Sequence, residues 1–338
     1  MSTRNSLLDS IANTIAAYRL GEIDPPDRNH VNTWVQQFDA SVQEAILSEL
    51  DHVLKKTYIP KERVEEILAN LVSNNEFAGD DPCSFWKTVN FLSIQGGGNS
   101  QREMIEMFDS VLQTKCGLRV DECGDDSGVY VYIDDGIFTG NRIRNDFSEW
   151  IKTDAPKKAT VHIVVMALHL NGRRYAQGAL NRELNAAGKE INFKWWRGVE
   201  VDDLRDSTYT SDVLRPTNIP DHELTQNYVD NRVHKPILRS PGNIGANEFF
   251  SSEEGRDILE QEFLKAGVEI RSKSPSLIAY QRPLGNSVLE ILGFGSLLAI
   301  FRNCPNNSPL AFWAGNPWYP LFPRSSNSET FMKWLLEN

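Results

Sequence analysis

Residues 129–140, Val-Tyr-Val-Tyr-Ile-Asp-Asp-Gly-Ile-Phe-Thr-Gly, are where this chain's letters come closest to chemistry. Two adjacent carboxylates, Asp134 and Asp135, follow an apolar, β-branched and aromatic run, Val129 to Ile133, and precede a small, Gly-containing turn. The run reads as a buried strand, and Asn141 to Trp150 can open a helix. Strand, loop and helix in that order aim backbone N–H groups at one point, a natural seat for a phosphate. Two acids just before such a seat suit the hydroxyls of a sugar that carries the phosphate. The same letters also serve an ordinary turn, because carboxylates and glycine are favoured wherever a parallel strand ends.

The elements that must position this segment alternate. Val89 to Ile94 is a candidate strand ending in the glycine-rich loop Gln95-Gly-Gly-Gly-Asn-Ser100, and Ser100 with Glu103 can cap a helix that turns Met104, Met107, Phe108 and Leu112 inward. Leu118 to Val120 reads as a short strand, Val161 to Leu168 as a strongly apolar one and Ile191 to Val199 as another. Strand and helix in alternation mark an α/β sheet. Before them, residues 1–75 read as helices: Leu7, Leu8, Ile11, Ile15 and Tyr18 share one face, Ser41 and Glu44 form a capping box, and Pro60 suits a helix's first turn. Residues 202–245 are polar and without period, which suggests an insertion or surface subdomain. A helix over Ser252 to Ala266 follows, closed by Gly267 as a left-handed stop.

A chain of 338 residues, 40 % apolar and 24 % charged, has the composition of an ordinary globular protein. No apolar run approaches the roughly 20 residues that span a bilayer, and Met1 to Asn13 carries no signal-peptide pattern. The net charge of −11 argues against nucleic-acid binding by the surface at large. Residues 1–83 hold 14 acids and 7 bases, an acidic region open to a basic partner or simply a solvated helical face. Four scattered cysteines, Cys83, Cys116, Cys123 and Cys304, form no C-x-x-C pair, which points to reduced thiols in a cytoplasm rather than disulfides or zinc. His162, in a strand, reads as structural.

Asp134, Asp135, Gly136, Thr139 and Gly140 resemble the PRPP-binding motif of type I phosphoribosyltransferases (PRPP, phosphoribosyl diphosphate), and the Gln95–Ser100 loop stands where that family keeps its pyrophosphate loop. Beyond the motif, Trp34-x-x-x-Phe38, Glu254-Gly-Arg-x-x-Leu-Glu260 and a tail of Gly293-Phe-Gly-Ser, Arg302-Asn-Cys-Pro-Asn-Asn and Trp318-x-Pro-Leu-Phe-Pro-Arg324 resemble the phosphoribosyltransferase-like domains of bacterial conflict systems. The resemblance implies a parallel-sheet, type I phosphoribosyltransferase-like α/β core over residues 84–324, a helical N-terminal subdomain over 1–83 and a C-terminal helix over 325–338. It also implies a role in anti-phage defence, beside retron reverse transcriptases.

Carried over, Asp134 and Asp135 contact the ribose hydroxyls and, through the substrate, Mg²⁺. Gly136, Ile137, Phe138, Thr139, Gly140 and Asn141 hold the 5′-phosphate, while Gly96, Gly97, Gly98, Asn99, Ser100 and Arg102 face the pyrophosphate. Arg302 and Asn303 read a base or a partner chain, or build a turn. Trp313, Trp318 and Phe322 are read as packing. The segment Cys123–Gly128 is too short for the mobile lid of the transferases, which favours nucleotide hydrolysis or binding alone. The implied ligand is PRPP or a nucleotide, and the implied partner a reverse transcriptase with its RNA–DNA. No membrane or direct nucleic-acid contact is expected.

Overall fold

The structure is a computed structural model that describes residues 3–97, 99–275, 277–287 and 292–324. It has two compact units, Lys61–Val201, and Met1–Pro60 with Asp202–Asn338. The second of these opens with α1 (Thr3–Ile15), α2 (Arg28–Val35), α3 (Gln43–Thr57) and the short strand β1 (Tyr58–Ile59). Leu8, Ile11 and Ile15 recur at helical spacing and are buried. The expected Ser41–Glu44 box does not form. Helix α3 starts one residue later, with Val42 at its cap and Ser41 in the preceding turn.

The Lys61–Val201 unit begins with α4 (Lys61–Val72), α5 (Asn75–Ala78) and α6 (Pro82–Thr88), then β2 (Asn90–Phe91), α7 (Ser100–Cys116), a 3₁₀ turn at Val120–Glu122, β3 (Val129–Ile137), α8 (Asn141–Thr153), β4 (Lys158–His169), α9 (Leu170–Ala187) and β5 (Glu190–Val201). The sheet runs β2-β3-β4-β5 with every neighbour parallel, and its inner strand β4 is buried on both faces from Val161 to His169, as inner parallel strands are. On one face Tyr132, Val161, Ile163 and Val165 join Ile143, Phe147 and Leu180 in a single apolar cluster. The opposite face carries His162, 4 % exposed, with the Phe77 ring 4.4 Å away and the Trp196 indole N–H donating to Nδ1 at 3.0 Å.

Burial, with Lys194 adding to it, pushes the His162 pKa down to about 4. The unfolded chain therefore binds a proton near pH 6.5 that the folded chain refuses until about pH 4. Stability is full above that window and falls as pH drops through it, by on the order of 2 kcal/mol. Urea denaturation of the wild type and of His162→Asn, which keeps an acceptor and cannot charge, should diverge between pH 7 and pH 5; parallel slopes would show that His162 does not carry the effect.

Several expected elements differ. The strand at Val89–Ile94 is only two residues long, and none forms at Leu118–Val120, because the Val120 N–H donates to Asp109 on α7 at 2.8 Å instead of to a neighbouring strand. The reduced-thiol reading fails for one pair: Cys83 at the start of α6 and Cys116 at the end of α7 are joined in a disulfide across 33 residues. Closing a loop of that length contributes about 3–4 kcal/mol in a chain-entropy account, and the glycine loop lies inside it.

The remaining chain returns to the unit that holds α1–α3, with α10 (Glu223–Asp230), α11 (Glu253–Lys273), a hairpin of β6 (Gln281–Arg282) and β7 (Gly285–Asn286), β8 (Ala299–Ile300) and α12 (Leu310–Trp313). Strand β8 pairs with β1 in parallel. Gly267 does not stop α11, which continues to Lys273. Gly267 lies inside the helix because a Cβ there would press on the backbone of Pro283. Residues 202–245 are largely irregular, as expected, yet not merely superficial: Ser211 to Arg215 are buried. The expected helix over 325–338 lies outside the described residues. Among the described residues, no helix is long and apolar enough to cross a membrane.

Candidate functional site

Strand β3 carries the two acids into the middle of the sheet. Side chains alternate along it, so Tyr130, Tyr132 and Asp134 face α8, with Tyr132 5.1 Å from the Phe147 ring. Asp134 is 1 % exposed. Its Oδ1 accepts the Asp135 N–H at 2.8 Å and its Oδ2 the Tyr132 hydroxyl at 3.1 Å. It is therefore turned into the protein, while Asp135 leaves the opposite face and is half-buried. The strand runs on to Ile137, so Gly136 and Ile137 pair with Ala167 and Leu168 of β4 and the Ile137 side chain enters the core. The turn itself is Phe138–Gly140.

That turn is shaped by a contact the sequence did not single out. Gly140 has φ +76°, and a Cβ on it would overlap the carbonyl oxygen of Gly172 near the start of α9. A Cβ on Gly172 would in turn overlap the Phe138 carbonyl. Two glycines thus let the turn and the next helix touch backbone to backbone. The Phe138 ring lies 5.1 Å from buried His169. Thr139 Oγ1 accepts the Asn141 N–H at 3.4 Å, and Gly140 at the N-cap of α8 supplies no side-chain cap. The first turn of α8 thereby presents its N–H groups and the positive end of its dipole to what lies before it.

The glycine loop comes to the same end of the sheet. Asn99 is the N-cap of α7 and gives no side-chain bond, so Ser100 begins the helix instead of capping it. Gln101, 1 % exposed, accepts the Ile94 and Gln95 N–H groups on one oxygen at 2.9 and 3.0 Å. Asp146 of α8 accepts the Gly96 N–H on Oδ1 at 3.3 Å and the Tyr132 hydroxyl on Oδ2 at 3.3 Å. Burial raises the Asp146 pKa, the Gly96 N–H and Arg142 oppose that, and Asp134 adds to it. Arg142 donates to the Gly97 carbonyl. Gly98 lies outside the described residues. Arg102, expected to face a pyrophosphate, is exposed and runs beside Glu106 along α7 at 3.9 Å.

The structure therefore brings Asp134, Asp135, the Phe138–Asn141 turn and the Gln95–Gly97 loop into one unit, with Tyr132, Asp146, Arg142 and Gly172 as members that the motif did not name. Arg302 and Asn303 belong to the other unit. There Asn303 and Ile300 exchange backbone bonds at 2.9 and 3.1 Å, closing a turn after β8. The tail aromatics pack as expected: Phe322 stands edge-on to Tyr18 at 5.0 Å, and the Trp34 and Trp318 indoles both donate to the Ala311 carbonyl, at 2.7 and 2.9 Å.

A family model described as PRTase-CE matches residues 31–324, most of the chain. The chain belongs to the PRTase-CE family. No curated protein and no solved structure matches it. As a PRTase-CE protein it contains a phosphoribosyltransferase-like domain with a mixed α/β fold, and the match spans both the acidic motif of the sheet unit and the aromatic contacts of the other. Trp34 and Phe38 meet Phe263 of α11, and Phe38 meets Trp318 of the tail. The features at the two ends of the matched stretch are thus one packing arrangement in this PRTase-CE chain.

Proposed function

We propose that this protein holds the ribose and 5′-phosphate of PRPP or of a nucleotide between Asp135 and the Phe138–Asn141 turn, and that it acts as an effector of an anti-phage defence system. One observation carries the site: two carboxylates on a central parallel strand lead through a three-residue turn into a helix whose N-cap offers no side chain. A phosphate there accepts the N–H groups of the first turn, and the Asp135 carboxylate, three residues before Phe138, is placed for the sugar hydroxyls. The defence role rests on the resemblance of the Glu254–Glu260 segment and the tail to domains of bacterial conflict systems.

Cleavage at C1′ leaves positive charge on the sugar, which the Asp135 carboxylate stabilises. In hydrolysis the C1′–N bond breaks with its electron pair passing to the base, a water oxygen bonds C1′, and that water's proton goes to the base. Asp134 acts one step back, holding the Asp135 amide. On this reading Mg²⁺ enters with the substrate and is reached through the sugar hydroxyls that Asp135 contacts. When bound, such an ion neutralises phosphate charge.

A second reading, a nucleotide-sensing or complex-forming subunit beside a reverse transcriptase, is favoured by one observation. The Cys123–Gly128 segment is short and fastened down: Gly124 N–H donates to Lys87 O at 3.0 Å, Ser127 Oγ to Thr88 O at 3.0 Å and Asn90 Nδ2 to Asp125 O at 2.9 Å. Such a segment does not close over a ligand to exclude water. In this reading Arg302, Asn303 and the acidic N-terminal helices contact the partner chain.

Asp135→Asn tests the site. Titration with ribose 5-phosphate is expected to show affinity reduced about tenfold or more at an unchanged melting temperature, with loss of phage protection in cells; wild-type affinity in the variant would end the proposal. Product analysis of the same mixtures separates turnover from sensing.

A further inference from the structure

A loop that cradles a diphosphate aims its N–H groups at the ligand, with no negative group of the protein competing for them. In this chain three successive N–H groups leading into the glycine loop are already taken by buried side chains: those of Ile94 and Gln95 by Gln101, and that of Gly96 by Asp146. Asp146 is 8 % exposed and is fixed from behind by the Tyr132 hydroxyl. On the other side of the loop, Arg142 spends a guanidinium N–H on the Gly97 carbonyl. The protein's own carboxylate thus occupies the amide that a diphosphate oxygen would need.

We propose that Asp146 is a specificity-determining residue, whose carboxylate fills the anion position of the glycine loop, so that the site takes a ribose bearing a single 5′-phosphate, as in a nucleoside monophosphate, and discriminates against a 1-diphosphate. This rests on the ribose-phosphate reading above and narrows its ligand. Like charges repel far more strongly in a partly buried site than in water, so a diphosphate approaching Gly96 meets the Asp146 charge and finds no N–H groups at 94–96 to offset it. The 5′-phosphate end is different in kind, because the Asn141 N–H goes to the neutral Thr139 hydroxyl instead of to a carboxylate, and the Gly140 N-cap of α8 has no side chain.

The test is calorimetric titration of the full chain, with Mg²⁺, using ribose 5-phosphate, adenosine 5′-monophosphate and PRPP. The wild type is expected to bind PRPP about tenfold more weakly than ribose 5-phosphate. Asp146→Asn keeps an acceptor for the Gly96 N–H and removes the charge; it should recover about tenfold in PRPP affinity while ribose 5-phosphate binding changes by less than about threefold. A wild type that prefers PRPP overturns the assignment without any variant being needed, and leaves the ribose-phosphate reading standing. A folded Asp146→Asn with an unchanged PRPP-to-ribose-5-phosphate ratio also overturns it. Failure of all three ligands to bind the wild type removes both this assignment and the reading beneath it.

Discussion

Gly172→Ala is expected to abolish ribose 5-phosphate binding, by about a hundredfold or more, although residue 172 belongs to a different strand–helix junction from the acidic motif. Its φ is not in the left-handed region, and alanine within a helix is normally favoured over glycine by about 1 kcal/mol. The sign is reversed here by space. A methyl group at Gly172 would overlap the Phe138 carbonyl oxygen and crowd the Gly140 nitrogen, and both are backbone atoms that no rotamer change can move. The turn must shift, and with it the N–H groups at the head of α8, while overpacking costs about 1–3 kcal/mol of stability. Gly178→Ala on the same helix is the control. Its added Cβ meets only Arg182 Nη1 at 3.7 Å, so binding and melting temperature should be kept or improved. Titration and thermal melting of the two variants decide the matter, and wild-type binding by Gly172→Ala would show that the turn does not hold the phosphate.

The contrast between those two glycines shows what could be read in advance. The sheet was legible because Val129–Ile133 and Val161–Leu168 are apolar, β-branched and aromatic runs broken by His162 alone, the pattern of strands covered on both faces. The acidic turn was legible because its residue types are adjacent. Gly172 was not, since its partner lies more than thirty residues earlier and a glycine near a helix start carries no local signal of close approach. Gly267 misled for the same reason: a helix-stop reading uses only neighbours, whereas Pro283 decides that position. The Cys83–Cys116 pair was missed because the spacing of scattered cysteines says nothing of which helix ends meet. Asp134 looked equivalent to Asp135, and only the alternation of the strand, with Tyr132 two residues back, separates an inward acid from an outward one.

The Arg-x-x-x-Glu within the Glu254–Glu260 segment was visible as a motif without a purpose, and the structure supplies one that predicts a large effect. Glu260 is fully buried on α11. Its Oε1 accepts Arg256 Nε at 2.8 Å and the Arg215 N–H at 3.0 Å, and its Oε2 accepts Arg239 Nε at 2.8 Å. Arg256 reaches on to the Val213 carbonyl at 3.0 Å and to Asn243 Oδ1 at 3.1 Å, over the Phe250 ring. One carboxylate therefore fastens the irregular chain from 213 to 243 onto the helix, satisfying backbone groups that have no sheet or helix to join.

Gly255 completes the motif, because a Cβ there would overlap the Glu49 carboxylate, whose Oε1 receives the Ser251 N–H at 2.8 Å. Burial raises the Glu260 pKa, and the two guanidiniums oppose it. Glu260→Ala would leave Arg256 buried without its carboxylate partner and Arg239 with only the more exposed Glu253 and Asp257, a change that costs about 3–5 kcal/mol, comparable with the whole stability of many domains. Loss of cooperative urea unfolding, or rapid proteolysis within residues 202–250, is the expected result. Arg256→Met/Glu260→Leu should recover part of the loss, since a buried ion pair replaced as a pair by apolar side chains is often neutral. Single and double variants with the same modest shift, under about 1 kcal/mol, would show that the cluster is solvated and that this segment is held by something else.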